Sequence, residues 1–470
     1  MRITTKTCSG LIGVASLLLV SLVPAPAGLS NPAWYTAGLA IAMAVFWIGQ
    51  TLPLAVTSLL PLLLAPLMGI APIGEIGADY GHPIIFLFFG GFVLGLAMER
   101  WQLHRRLALQ LLVLFGQSPK KQLAAFMLAT ALLSMWVSNT ATAIMLLPIA
   151  LSILSERDAA QCQGFDKALL LGIAYSASIG GIATLIGTPP NALMAAYLQD
   201  HHGLTLGFVN WMAMALPLSL LLLALTWLWL SRSLAQTPEA ARQAGRSTTL
   251  HDELERLGPM GKAEARVALV FLLTAFLWVF RPLINEYLPG GRLSDTAIAL
   301  AAAVALHILP SGTEPGRPLM QWSDTQRLPW GVLLLFGGGL ALAGLMQTSG
   351  LAQALADLLQ LAERWPAALL IVLVVGLIIF LTEVTSNTAT TAVFLPLMGV
   401  LTLAMGLPPQ GLVIPAALAA SCSFMLPVAT PPNAIVFGAD KITVADMARA
   451  GFVINLLAWL CISALGIWLL

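Results

Sequence analysis

The sequence predicts an all-α polytopic membrane protein with about 11 transmembrane helices, two re-entrant hairpins and an inverted-topology internal repeat. Three observations predict it. The first is composition: 59% of the 470 residues are hydrophobic and only 9% are charged, against about 25% charged for a soluble domain. Mean hydropathy is +0.89, and too few polar residues are present to cover a soluble surface of this size. The second is that apolar runs long enough to cross a bilayer recur from end to end, for example Ile85 to Met98, Met212 to Leu230 and Val267 to Val279 with its flanks. The third is a pair of polar motifs repeated at fixed spacing in the two halves.

In chain order, the spans fall at about 8–28, 33–49, 53–69, 83–103, 165–200 (interrupted), 208–230, 265–282, 293–309, 331–348, 411–438 (interrupted) and 448–470. The two hairpins fall at about 122–152 and 367–401. Arg2 and Lys6, the apolar run Leu11 to Val23 and then Ala25-Pro26-Ala27 have the form of a signal peptide; with so many spans following, the reading adopted is an uncleaved first helix. Ser231 to Arg266 is the one long polar stretch. Its Arg232, Arg242, Arg246, Arg256, Lys262 and Arg266 are mixed with Glu239, Asp252, Glu253, Glu255 and Glu264. It reads as a cytoplasmic connector (231–266) between a first half, 1–230, and a second half, 267–470, a regulatory loop being the alternative. Basic residues then place the N-terminus inside, along with Arg105, Arg106, Lys120, Lys121, the connector, Arg327 and Lys441. Arg281 and Arg292 fall outside, against the rule.

The halves share a register. Phe88-Phe89-Gly90-Gly91 meets Phe336-Gly337-Gly338-Gly339, Met98 meets Met346, Leu103 meets Leu351, and Pro148 meets Pro396, each pair 248 residues apart. Ser138-Asn139-Thr140-Ala141-Thr142 meets Ser386-Asn387-Thr388-Ala389-Thr390 at the same offset. Gly187-Thr188-Pro189-Pro190-Asn191 matches Ala429-Thr430-Pro431-Pro432-Asn433 at an offset of 242. Spans 83–103 and 331–348 run in opposite directions in the count above, so the repeats are expected to be antiparallel. Broken helices meeting near the midplane of an inverted repeat are a transporter design.

These motifs carry chemistry. An unpaired polar group in hydrocarbon costs several kcal/mol, and a cluster that also interrupts a helix exposes carbonyls and N–H groups together. Each Thr-Pro-Pro removes helix hydrogen bonds. The carbonyls released, with the amide oxygens of Asn139, Asn191, Asn387 and Asn433, are hard oxygen ligands for a small cation, for which sodium is the expectation. Broken helices also present N-terminal N–H groups to an anion. No Lys, Arg or His lies within the motifs, so a dianion would depend on the cations for charge compensation.

Other features read as structure. Gly337-Gly338-Gly339, like Gly90-Gly91 and Gly180-Gly181, lacks nucleotide-loop spacing and suits close helix packing. Glu99 closes its span at the interface. Glu383, three residues before the second Ser-Asn-Thr, is an ion or proton partner or a structural cap; its repeat equivalent is Met135. The histidines (His82, His104, His201, His202, His251 and His307) form no enzyme-like constellation, with His201 and His202 expected in a loop. Cys8, Cys162, Cys422 and Cys461 lie too far apart to suggest a metal cluster or a disulfide framework. The net charge of +1 gives no reason to expect nucleic acid.

At its paired Ser-Asn-Thr and Thr-Pro motifs, and at Leu52 to Thr57 and Pro329 to Leu342, the chain resembles the divalent anion:sodium symporter family, whose members carry dicarboxylates, citrate or sulfate. The resemblance covers nearly the whole chain. It implies a homodimer in the bacterial inner membrane, each protomer having a fixed scaffold and a transport domain that slides as an elevator, with no enzymatic activity and no organic cofactor. The first sodium site would use Ser134, Ser138, Asn139 and Gly187, and the second Thr382, Thr385, Asn387 and Ala429. The substrate would touch Ser138, Asn139 and Thr140 on one side and Ser386, Asn387 and Thr388 on the other, with Thr188, Pro189, Thr430 and Pro431 closing the site. The implied activity is sodium-coupled symport of a small di- or tricarboxylate, a succinate-, malate- or fumarate-like dianion being favoured. Alternatives are a sodium-independent exchanger, a sulfate or citrate carrier, and a proton-coupled carrier using Glu383. One departure stands out: Gln50 replaces a glutamate common in the family.

Overall fold

In the computed structural model the described residues are 5–115, 118–155, 163–232, 234, 248–287, 293–313, 316–358 and 365–470. Arg2, Cys162, Glu239, Arg242, Arg246 and Arg292 lie outside them. Among the described residues the regular structure is helical, apart from one isolated bridge between Pro310 and Pro318. Eight helical stretches are long and apolar enough to cross a membrane.

Helix α1 (Thr5–Leu22) lies antiparallel along α2 (Asn31–Gly49). Glycines make that approach possible: a methyl group at Gly38 would meet Val20, and one at Gly13 would strike the ring of Phe46. The outer side of α1 shows Leu11, Leu18 and Leu22 to the surroundings, the pattern of a lipid-facing helix. Ser30 caps α2, and Gln50 ends it in the left-handed conformation at φ 48.

The expected span 53–69 is two pieces, α3 (Leu54–Thr57) and α4 (Leu60–Leu67). The cause is Pro61, which has no N–H to return to the carbonyl of Thr57. The Ser58 carbonyl freed by the break accepts the Tyr80 hydroxyl. Gly337 and Gly338 pack at this point, and a methyl at Gly338 would come to 2.5 Å of that Ser58 oxygen. The triple glycine is therefore a packing surface.

Next come α5 (Ile73–Tyr80), α6 (Pro83–Arg100) and α7 (Leu103–Leu114). The expected span 83–103 stops at Arg100, because Gln102 turns left-handed at φ 61 and redirects the chain into α7. The same event occurs in the second half: α16 (Trp330–Thr348) ends before Gly350 at φ 84, and α17 (Leu351–Leu358) follows. The short helices α5, α7 and α17 were not expected from hydropathy.

The segments 122–152 and 367–401, expected as hairpins, contain the consecutive helices α8 (Pro119–Ser134) and α9 (Asn139–Ser155), and α18 (Ala367–Thr382) and α19 (Asn387–Met405). The two interrupted spans are α10 (Gln163–Ile182) with α11 (Pro189–His202), and α20 (Gln410–Ala420) with α21 (Pro431–Phe437). His201 and His202, expected in a loop, form the last turn of α11, which Gly203 ends at φ 66. The remaining helices are α12 (Phe208–Ser231), α13 (Thr248–Arg256), α14 (Lys262–Tyr287), α15 (Asp295–Ile308) and α22 (Val444–Trp468). Helix α13 lies inside the connector and docks on α7. Arg105 pairs with Glu253 at 2.5 Å, and Arg106 pairs with Glu264 of α14 at 2.6 Å.

The core is apolar and dense around α10, which packs on α8, α9, α12 and α21. An aromatic stack joins Trp136 in the α8–α9 turn to Phe208 and Trp278, with the Phe208 and Trp278 rings 4.5 Å apart. It fixes the turn that carries the first polar motif.

Candidate ion and anion site

Both Ser-Asn-Thr motifs sit in the turns that interrupt a helix pair, and each serine caps the helix that follows. Ser138 accepts the N–H of Ala141 at 3.1 Å, and Ser386 accepts that of Ala389 at 3.5 Å. The Thr-Pro motifs also start helices: Thr430 caps α21 by accepting the N–H of Asn433 at 3.3 Å, whereas Thr188 occupies the N-cap position of α11 without a side-chain cap bond. The prolines at the first helical positions lack an N–H where none is required.

All four helix starts line one cavity of about 1230 Å³. Its wall includes Ser138, Asn139, Thr140, Thr188 and Pro189 from the first half, and Ser386, Asn387, Thr388, Thr430 and Pro431 from the second. Every residue expected to touch substrate is thus brought to one space. Helices α9, α11 and α19 each present a partial positive N-terminus to it. The exposed Lys6 and Arg327 also line it, with Glu99, so the cavity reaches the protein surface on their side.

Of the residues expected at the cation sites, Ser138, Asn139, Gly187, Thr385, Asn387 and Ala429 line the cavity, while Ser134 and Thr382 stand behind it. Their hydroxyls hold the two asparagines. Ser134 Oγ contacts Asn139 Oδ1 and lies 2.6 Å from the Ala177 carbonyl. Thr382 Oγ1 lies 2.7 Å from Asn387 Oδ1 and 3.1 Å from the Ala420 carbonyl. Each frame gathers hydroxyl, amide and carbonyl oxygens, a donor set that fits a small hard cation without a carboxylate.

Asn191 and Asn433 lie outside the cavity wall, and their amide nitrogens face the breaks in their own helices, while each Oδ1 is buried with no hydrogen-bond partner. Asn191 Nδ2 donates to the carbonyls of Gly181, Ile182 and Thr184 at 3.2, 3.1 and 2.8 Å. Asn433 Nδ2 donates to those of Ser423 and Leu426 at 3.3 and 3.0 Å. Each side chain brackets the break in its own helix, since the interruption leaves carbonyls that need donors. Trp211 Nε1 adds a donor to Ile182 at 3.0 Å, and Thr184 Oγ1 ties the first break to the Met135 carbonyl at 2.6 Å.

Glu383 is buried and does not line the cavity. Its carboxylate accepts the backbone N–H groups of Phe424, Met425 and Leu426 at 2.7 to 3.1 Å and the side chain of Asn455 at 2.7 Å. Sequence reasoning missed Ser178, Ser421, Trp136, Lys6 and Arg327 as lining residues. The serines carried a signal, hydroxyls in the last turn before each break; the two cations read only as markers of the inner side.

With the geometry in place, comparison with known proteins decides the family. The family pattern described as "Sodium:sulfate symporter transmembrane region" matches residues 4–470. The chain belongs to this family. It is 39% identical over 458 residues to the sodium-dependent dicarboxylate transporter SdcS of Staphylococcus saprophyticus, covering 95% of this chain and 88% of the relative. It is 40% identical, with the same coverage, to the SdcS protein of Staphylococcus aureus strain USA300. Among solved structures it is similar in fold to the YdaH transporter of Alcanivorax borkumensis, at a TM-score of 0.58 and 16% identity, covering 99% of this chain and 98% of that one. As a family member the protein is a secondary active transporter and not an enzyme, a multi-pass protein of the bacterial inner membrane with sodium as its co-transported ion.

Proposed function

We propose that this protein imports a small dicarboxylate dianion by sodium-coupled symport. The observation that carries the reading is the cavity: two complete Ser-Asn-Thr motifs and two Thr-Pro motifs share it, backed by two asparagine–hydroxyl frames. Among the described residues the motif wall holds hydroxyls, amides and helix N-termini without a cationic side chain. Sodium bound at Asn139 and Asn387 would supply the charge that a dianion needs in such surroundings. The names of the SdcS relatives point to the same substrate class.

The finer picture is part of the proposal. The fold is an inverted repeat of about 11 spans with two re-entrant hairpins. The recurrence of the hydroxyl–asparagine contact at an offset of 248 and of the asparagine bracket at 242 supports the repeat. The working unit is a homodimer with its N-termini in the cytoplasm. By the positive-inside rule the side bearing Lys6 and Arg327 is cytoplasmic, so the cavity is open inward. Transport proceeds by an elevator movement of the motif-bearing domain against a scaffold. More than two sodium ions per dianion would make each cycle move net charge, worth roughly 2.3 kcal/mol per charge at 100 mV.

The test is radiolabelled succinate uptake into proteoliposomes with and without an inward sodium gradient, alongside Asn139→Ala and Asn387→Ala. Sodium-dependent uptake that collapses in both variants is expected. Uptake indifferent to sodium would replace symport by exchange.

A further inference from the structure

The two asparagine–hydroxyl frames are alike in plan and unequal in content. In the second, Asn387 Oδ1 receives two hydroxyls, Thr382 at 2.7 Å and Ser423 at 3.2 Å. In the first, Asn139 Oδ1 is held by Ser134, and Gly181 stands where Ser423 stands in the second. Two independent relations establish that equivalence. Gly181 and Ser423 are 242 residues apart, the offset of the Thr-Pro motifs. The Gly181 carbonyl accepts from Asn191 as the Ser423 carbonyl accepts from Asn433. A β-carbon at Gly181 would come to 2.9 Å of Asn139 Oδ1 and 3.1 Å of the Gly187 carbonyl, so the first frame has no room for the side chain that the second one carries.

We propose that Ser423 is a residue of the second cation site, adding a hydroxyl oxygen beside Asn387 and fixing its amide, so that the two sodium sites are inequivalent and the second fills first. The inference rests on the sodium-symport reading above. Ser423 is fully buried, and its hydroxyl is directed at Asn387, which with Thr385 and Ala429 lines the cavity on the second site's side. A small cation stripped of water is held by the number of oxygens that replace its shell. Thr382 and Ser423 grip Asn387 Oδ1 together, and the frame is set before the ion arrives. The first site, where a hydrogen atom replaces the hydroxymethyl group, lacks that oxygen and that contact to hold Asn139 in place. The same asymmetry gives sodium loading an order: the second site loads at low sodium, and the first loads last.

The experiment is sodium titration of the thermal unfolding of the purified full-length protein in detergent, with choline as the replacing ion and no substrate present. The wild type is expected to show two phases of sodium-dependent stabilisation. Ser423→Ala should shift the low-sodium phase to about tenfold higher sodium and leave the other in place. Ser423→Gly, the residue the first site itself carries, should merge the two phases. Asn387→Ala should abolish the low-sodium phase, and Asn139→Ala the high-sodium one. Unchanged titrations in both Ser423 variants would overturn the proposal while leaving symport intact, as would loss of the low-sodium phase in Asn139→Ala. A wild type that sodium does not stabilise at all would overturn the symport reading itself. Melting in sodium-free choline separates misfolding from lost ion binding; if Ser423→Ala does not fold, Ser423→Gly decides.

Discussion

Asn455 of α22 donates its side-chain amide to the carboxylate of Glu383 at 2.7 Å, across 72 residues of chain. The same carboxylate gathers the N–H groups of Phe424, Met425 and Leu426, which lie in the break between α20 and α21. Glu383 is thereby the fastener that holds this break against the second hairpin turn. Every partner is a donor. A glutamine there would set an NH₂ edge against N–H groups, and Glu383→Gln is expected to cost about 2–4 kcal/mol of stability. The measurement is thermal unfolding in detergent. Asn455→Ala, which removes one donor of four, should fall well short of that loss. Sodium-free and sodium-saturated melting should drop together, because the residue positions the break and does not touch the cavity.

The brackets in the two breaks invite a sharper substitution. Asn191 Nδ2 meets three carbonyls, the nearest that of Thr184 at 2.8 Å. Asn191→Asp changes almost no volume but turns a donor into an anion facing carbonyl oxygens. It should be more damaging than Asn191→Ala, which only leaves the carbonyls unpaired at about 1–3 kcal/mol each. The same order is expected at Asn433, with a smaller gap because only two carbonyls are served there. Yield of monodisperse protein and melting temperature together report it; equal behaviour of the Asp and Ala variants would contradict the bracket.

A third prediction contrasts two ion pairs at the docked end of the connector. Arg106 reaches both oxygens of Glu264, at 2.6 and 3.1 Å, and also the Gly258 carbonyl at 2.9 Å, and both side chains are buried. Removing one partner strands a buried charge, so Glu264→Ala should lower stability by about 3–5 kcal/mol, and Arg106→Met with Glu264→Leu should recover most of it. Arg256 with Glu253 is an exposed pair three residues apart on one helix. Arg256→Ala should change stability by about 0–1 kcal/mol.

Much of this arrangement was legible in the sequence, for physical reasons that differ by element. The cavity wall was legible because polar residues in hydrocarbon have to be used, so Ser138 to Thr140 and Ser386 to Thr388 stood out against their surroundings. Their assembly into one space followed from the register of 248. The brackets were not legible: Asn191 reads like Asn139 until its donors are seen to point at its own broken helix. The helices α7 and α17 were missed because amphipathic helices at an interface lack a sustained apolar run, although Leu103 and Leu351 already marked their starts. Ser423 was passed over because its place beside Asn387, 36 residues away in the chain, shows only once the second break is folded against the second hairpin turn.

The last prediction concerns pH. His201 ends α11, beyond the expected span, with Nδ1 2.5 Å from the Gln347 side-chain oxygen of α16. Burial holds its pKa below the usual 6.5, against opposing contributions from Gln347 and Asp200. His202 beside it is lowered by burial and by His201, and His104 on α7 is lowered by burial, with Arg105 adding to it against the Met98 carbonyl. A histidine whose folded pKa lies below its unfolded value binds its proton more readily in the unfolded chain. Its contribution to stability is therefore complete above pH 6.5 and is lost as pH falls through that value toward the folded pKa. Three such groups share one sign, so the melting temperature should be flat from pH 8 to about 7 and decline below about 6.5. His201→Gln with His202→Gln should flatten that decline, leaving the part due to His104. A melting temperature that rises on acidification would show that these imidazoles gain partners on folding instead of losing water.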